Sequence, residues 1–177
     1  TVISGTLTNQ GTLNGKVTVD LGATLNTSGV VQAGVSSANA GTIANSGSFT
    51  VLVAMINQGT FTSTAFLEND GLLRTSGRLT TSGTFANIGS LANTGSFANL
   101  GALLNSGTLD NAASMSNAGT ISGAGVFTNS GGFTNSGSVA TTVMLAGTGA
   151  VNNQAGGRIT GVLAGISGGA GGNVIAN

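Results

Sequence analysis

Every charged side chain in this sequence stands at an even-numbered position. The eight are Lys16, Asp20, Glu68, Asp70, Arg74, Arg78, Asp110 and Arg158. Side chains alternate between two faces only along extended strands. One parity therefore faces a dry interior and the other faces water, and the chain holds that register along its length.

The odd positions carry a short repeat. Gly5-Leu7-Asn9 recurs as Gly41-Ile43-Asn45, Gly83-Phe85-Asn87, Gly89-Leu91-Asn93, Gly95-Phe97-Asn99, Gly107-Leu109-Asn111 and Gly131-Phe133-Asn135. The unit is a hexapeptide: Gly, Ser or Thr, a large apolar residue, any residue, Asn, any residue. Its apolar step runs from Leu7 through Leu13, Val19, Leu25 and Val31 and onward to Val151, interrupted at Ser37. The phase reads as free of insertions and deletions over that span. Fixed-period self-similarity of this kind marks a solenoid.

A longer period overlies the hexapeptide. Val17, Val35 and Val53 stand on the glycine step, each three hexapeptides from the last, and Val143 falls on the same step. Gly15, Ala33 and Val51 depart from Asn in one such column, as do Gly123, Thr141 and Ile159. Three hexapeptides thus make one coil. The expected fold is all-β: a single-chain parallel β-helix, or β-solenoid, triangular in section, with 18-residue coils. Residues 1–177 form one domain of about ten coils, a rod roughly 45–50 Å long, with a looser register after residue 156. Leu, Phe, Ile and Val fill the axis. Glycine leaves room beside them in a narrow triangle. Inward Asn forms an amide ladder at the corners; the competing reading keeps Asn on its own backbone as a turn residue. The sequence has no proline, as expected where each strand needs its N–H for the next coil.

Composition limits function. Charged residues make up 5% of the chain and the net charge is zero, which argues against a nucleic-acid partner. No apolar run approaches the length of a spanning helix, so no membrane insertion of this segment is expected. The chain has no Cys and no His, Trp or Tyr. Acid–base chemistry would rest on Asp20, Glu68, Asp70 and Asp110. Glu68 and Asp70 lie two apart and could be a glycosidase-like pair, but a solvated patch balanced by Arg74 and Arg78 is the simpler reading. Asn69-Asp70-Gly71 has the look of a calcium-binding solenoid turn but occurs once, where calcium solenoids repeat it every turn. No catalytic residue, metal ligand or cofactor is expected, and the chain is not read as an enzyme.

Two outward features remain. Thr6, Thr24, Thr42 and Thr60 share a column, continued by Ser96 and Ser114 and interrupted by Arg78. Such a row suits ligand binding on a flat face, to ice or a glycan, or simply reflects threonine on exposed strands. Leu52, Ile56, Leu72, Ile88, Val126, Met144 and Val162 gather in neighbouring outward columns and could form a lateral contact with another chain. Both ends look open: Ile175 and Asn177 still fall on the apolar and Asn steps, although Gly168-Gly169-Ala170-Gly171-Gly172 dilutes the core. Open ends favour end-to-end self-association, or continuation within a longer chain.

The strings Asn105-Ser106-Gly107-Thr108-Leu109-Asp110-Asn111, Asn117-Ala118-Gly119-Thr120-Ile121-Ser122-Gly123 and Val151-Asn152-Asn153-Gln154-Ala155-Gly156-Gly157-Arg158-Ile159-Thr160-Gly161 resemble the repeats of large bacterial surface proteins. They are similar to passenger regions of autotransporters and filamentous-haemagglutinin-type adhesins. The resemblance implies a secreted or cell-surface β-helix used as a stalk, fibre or adhesive scaffold, with a role in cell adhesion or biofilm. It supplies no catalytic residues. Those passengers are mostly right-handed, which favours that hand here, although strict 18-residue coils also occur in left-handed helices.

Overall fold

The computed structural model describes the backbone of residues 1–165 and 174–176, and side-chain surroundings through residue 162. Gly168 to Gly172 and Asn177 lie outside the described residues. One coil shows how the hexapeptide folds. Ala54–Asn57, Thr60–Ser63 and Phe66–Asn69 are strands of four residues, each separated from the next by a two-residue corner. The strand after Phe66–Asn69 is Leu72–Thr75, which lies back on Ala54–Asn57.

Three parallel sheets result, arranged as a triangle. Sheet A begins with Val2–Ile3 and has ten strands, sheet B begins with Thr6–Asn9 and has ten, and sheet C begins with Thr12–Asn14 and has nine. Met55 pairs with Leu73, Phe61 with Leu79 and Leu67 with Phe85, in each case three hexapeptides further along. Backbone bonding continues through the corners: Ser46 N–H donates to Thr27 C=O at 2.7 Å and Thr60 N–H to Gly41 C=O at 2.9 Å. Proline at such positions would remove a bond to the coil beneath.

The inward apolar residues are sealed. Leu25, Ile43, Phe49, Met55, Phe61, Leu67, Leu73, Leu79, Phe85, Leu91 and Leu109 are all 0% exposed. Phenylalanines from different sheets meet edge to face across the axis, Phe49 with Phe61 at 4.9 Å between ring centroids and Phe127 with Phe133 at 5.0 Å. Such pairs add to burial because ring edges and faces carry opposite partial charge. Among residues 5–151, Thr50 is the one buried even-numbered position. It is flanked in its column by Gln32 and Glu68.

The coil length is not constant, contrary to the reading of an unbroken phase. Ile3 pairs with Val19, a step two short of the regular coil, and Val19 pairs with Asn39, a step two longer than it. Two residues are missing at the corner into sheet A, and two extra, Leu21 and Gly22, occupy the following corner. There Ala23 N–H closes a turn on Asp20 C=O at 3.0 Å, with Gly22 at φ 79°. The same exchange recurs later. Phe127 pairs with Val143, again two short, and Gly149 N–H closes a turn on Ala146 C=O at 3.0 Å with Gly147 at φ 58°. Gln154 to Gly157 forms a third such turn, with Gly156 at φ 87°. Val151 then pairs with Ile175, a full hexapeptide beyond the regular step.

These shifts reassign several residues. Val17 and Val143 occupy the apolar position rather than the glycine one, and both are 1% exposed or less. Val19 and Leu145 stand at the Asn position, aligned with Asn39 and Asn129. Ile159 pairs with Val139 on the apolar step. Leu21, at an odd position, projects from its turn and is 87% exposed. Val35 and Val53 do hold the glycine position, but at a corner where they are half-exposed. Ser37 keeps its place in the core because its Oγ accepts from Val17 N–H and donates to Val35 C=O, both at 3.0 Å.

Glycine recurs for a different reason than spare room along the axis. A Cβ on Gly89 would lie 2.0 Å from the carbonyl oxygen of Gly71, and one on Gly107 would lie 2.0 Å from that of Gly89. The backbone of the preceding coil, not a core side chain, fills the space.

Candidate functional site

The Asn positions form directional ladders inside the corners. Asn69 Nδ2 donates to Asn87 Oδ1 at 2.8 Å and Asn87 Nδ2 to Asn105 Oδ1 at 2.7 Å. Asn93 donates to Asn111 and Asn111 to Asn129, both at 2.7 Å. Asn99 donates to Asn117 at 2.7 Å and Asn117 to Asn135 at 2.8 Å. The second amide N–H ties the corner to the next coil: Asn69 to Ser90 C=O, Asn87 to Thr108 C=O and Asn93 to Ser114 C=O, each at 2.8 Å. The ladder reading therefore holds, and the second N–H serves the main chain of the next coil. Aligned amides polarise one another along the column.

Direction has a consequence at the start of a ladder. Every Asn-to-Asn donor points toward the C-terminal end, so the first amide needs a donor from the coil before it. Asn39 and Asn69 follow Val19 and Val51 in their columns, and their Oδ1 atoms are buried without a partner. Where Thr or Ser takes the Asn position, its hydroxyl accepts from the amide below, as Asn45 to Ser63 at 2.9 Å and Asn57 to Thr75 at 3.0 Å, and Thr81 Oγ1 donates onward to Asn99 Oδ1 at 3.1 Å.

The acidic residues stand on different parts of the triangle. Glu68 stands on sheet C, Asp70 follows the strand Phe66–Asn69 on the corner, and Asp110 stands on sheet A. Among the described residues no group of three or more His, Cys, Asp and Glu side chains comes together. No helix among them is long and apolar enough to cross a membrane.

The outward columns separate by sheet. Thr6, Thr24, Thr42 and Thr60 pair in succession on sheet B, followed by Arg78, Ser96 and Ser114. Beside them run Thr8, Asn26, Ala44, Thr62 and Thr80 in the same registers. A shallow groove of about 260 Å³ lies along Thr8, Asn26, Ser28, Ala44, Ser46, Thr62 and Thr64. Its corner hydroxyls are already tethered, Ser46 Oγ to Thr27 C=O and Thr64 Oγ1 to Asn45 C=O, both at 3.3 Å.

Sheet A and the corner leading into it carry the apolar residues read from the sequence. Ile56, Ile88 and Val162 are 48%, 54% and 64% exposed, Leu52 and Val126 slightly less, and Leu72 and Met144 are half-buried. Asp70 lies between Leu52 and Ile88 in sequence step, and Arg74 pairs directly with Ile56, so charges divide the stripe. Sheet C exposes a further apolar residue that the parity argument did not single out, Leu104 at 48%.

No protein family, curated protein or solved structure matches the chain.

Proposed function

We propose that the chain is a structural rod: a β-solenoid that serves as stalk, fibre or adhesive scaffold of a bacterial surface protein, outside the cell. The observation that carries this reading is the backbone ladder that ties coil to coil through the corners, reinforced over much of the rod by the inward amide ladders. The likeness of its repeats to autotransporter and filamentous-haemagglutinin-type passengers supports the surface location. The reading assigns the chain no reaction and no cofactor. A rod's output is reach, and reach scales with coil number. Labelling intact cells of the source bacterium with an antibody to this chain tests location. In-phase removal of three coils, residues 58–111, should bring the label closer to the cell by about 14 Å per copy of the segment. Label found only after cell lysis would reject the proposal.

A second reading rests on the paired hydroxyl columns of sheet B, which present a flat, nearly uncharged array suited to ice or a glycan. Inhibition of ice recrystallisation, lost on replacing Thr24 and Thr42 with Tyr, would favour it over a purely structural role.

A further inference from the structure

We propose that the outer face of sheet A docks on a second copy of this chain, antiparallel, about a twofold axis running along the strand Ser90–Asn93. This goes beyond a generic lateral contact by fixing the partner, the orientation and the register. The argument starts from one outward column. Ile56 pairs with Arg74, Arg74 with Ala92, Ala92 with Asp110, and Asp110 with Thr128. The column therefore reads plus, small, minus over three successive coils, centred on Ala92. Arg74 and Asp110 are two coils apart, about 10 Å, too far to satisfy each other directly. Both are exposed.

A copy run in the opposite direction places Arg74 of one chain against Asp110 of the other, and the reverse, with Ala92 facing Ala92 between the two ion pairs. A parallel copy would place Arg74 on Arg74 and Asp110 on Asp110, so charge selects the antiparallel arrangement. The flanking columns add apolar contacts on the axis, while Asp70, one coil from Ile88 in the corner column, falls opposite Ser106 at the rim. At the corner, Ile88, 54% exposed, falls on the axis and meets its own copy. In the column beside Arg74, Ala54 and Val126 lie two coils on either side of Ser90, so each faces the other across the axis. Among its described outward residues sheet B has Arg78 as its one charged side chain and offers no such self-complement. The strands from Ser37–Asn39 to Val143–Leu145 span about 29 Å of rod, and a face some 15 Å wide buries about 900 Å² in total. That lies below the roughly 1,200–2,000 Å² of stable specific interfaces and in the range of weak, transient contacts, so the dimer is expected to be populated toward the upper end of the concentrations used below.

Sedimentation of the chain from about 10 to 500 μM at low salt tests this. The expected result is a reversible dimer. Arg74→Asp alone, and Asp110→Arg alone, should each weaken it at least tenfold. The double variant R74D/D110R should restore it, and so should an equimolar mixture of the two single variants, whose charges complement one another. Circular dichroism confirms that these exposed substitutions leave the fold intact. The chain has no Cys, so Ala92→Cys should cross-link through a short bismaleimide, whereas Ala98→Cys on sheet B should not. A chain that stays monomeric throughout overturns the proposal. So does association that R74D leaves unchanged, a double variant that fails to recover, or cross-linking through Ala98→Cys instead.

Discussion

Replacing Asn87 with valine should destabilise the rod more, per substitution, than replacing its whole ladder column. The side chain accepts from Asn69, donates to Asn105 at 2.7 Å and donates to Thr108 C=O at 2.8 Å. Asn87→Val removes all three bonds and strands one Asn69 N–H, Asn105 Oδ1 and part of Thr108 C=O in a fully buried corner. At about 1–3 kcal/mol for each of the two stranded amide groups, and about 1 kcal/mol for the lost bond to Thr108 C=O, less about 1 kcal/mol returned by burying the valine methyls, the loss centres on about 3–5 kcal/mol. Replacing Asn69, Asn87 and Asn105 together removes donors and acceptors as sets. It also abolishes the existing orphan at Asn69 Oδ1 and leaves only main-chain carbonyls under-satisfied. The triple variant should cost no more than about 5 kcal/mol, against roughly 10 for three independent singles. The chain itself tolerates valine at this position, at Val51. Urea unfolding followed by circular dichroism gives the totals. Hydrogen exchange at the coils containing Asn87 and Asn105 shows whether opening is local, as it often is in repeat arrays. Additive costs within about 1 kcal/mol, or a single-variant cost below about 1 kcal/mol, would refute the ladder as a coupled unit.

Other substitutions probe separate features. Phe97→Ala should cost about 3–5 kcal/mol in urea unfolding, because the axis cannot collapse onto the cavity, while outward Thr108→Ala should cost under about 0.5. Gly89→Ala should cost at least about 3 kcal/mol, since its Cβ would meet the Gly71 carbonyl, whereas Gly132→Ala meets nothing within 4 Å and should change stability by no more than about 0.5. Deleting residues 58–75, one coil, should leave a cooperative fold by circular dichroism. Deleting residues 58–74 should abolish it, because an odd shift turns every downstream inward residue outward.

Parity carried most of the fold. Charges are tolerated only outward, and the repeating large apolar and Asn steps fall on the inward parity, so the alternation from Gly5 to Val151 marks the core. The compensated corners were hidden for a physical reason. Two residues lost before Val17 are regained at Leu21 and Gly22, so both parity and hexapeptide phase survive while Val17 and Val19 each move one inward position along the strand. Signals were present: Lys16 alone separates Gly15 from Val17, and Leu21-Gly22 places an apolar residue beside a turn-forming glycine. The repeat glycine was legible, but its cause was not, because the approach of a carbonyl from the coil beneath depends on the tightness of the stacking. Ladder direction was equally invisible, since Asn names an amide and not the way it points. The apolar stripe on sheet A was legible as a set of columns, and its charge antisymmetry about Ala92 emerged only once the registers of Arg74 and Asp110 were placed on one face.

The regular stacking of coil on coil is itself open to a direct distance measurement. Ala44, Ser116 and Asn152 occupy one outward column of sheet B. Nitroxide labels on the pair Ala44→Cys and Ser116→Cys should lie about 19 Å apart, and on Ala44→Cys with Asn152→Cys about 29 Å, by pulsed electron paramagnetic resonance. The difference, about 10 Å for two coils, is insensitive to label geometry because the column is straight. Equal separations, or broad distributions extending to several tens of ångströms, would contradict a rod in which each coil lies on the last.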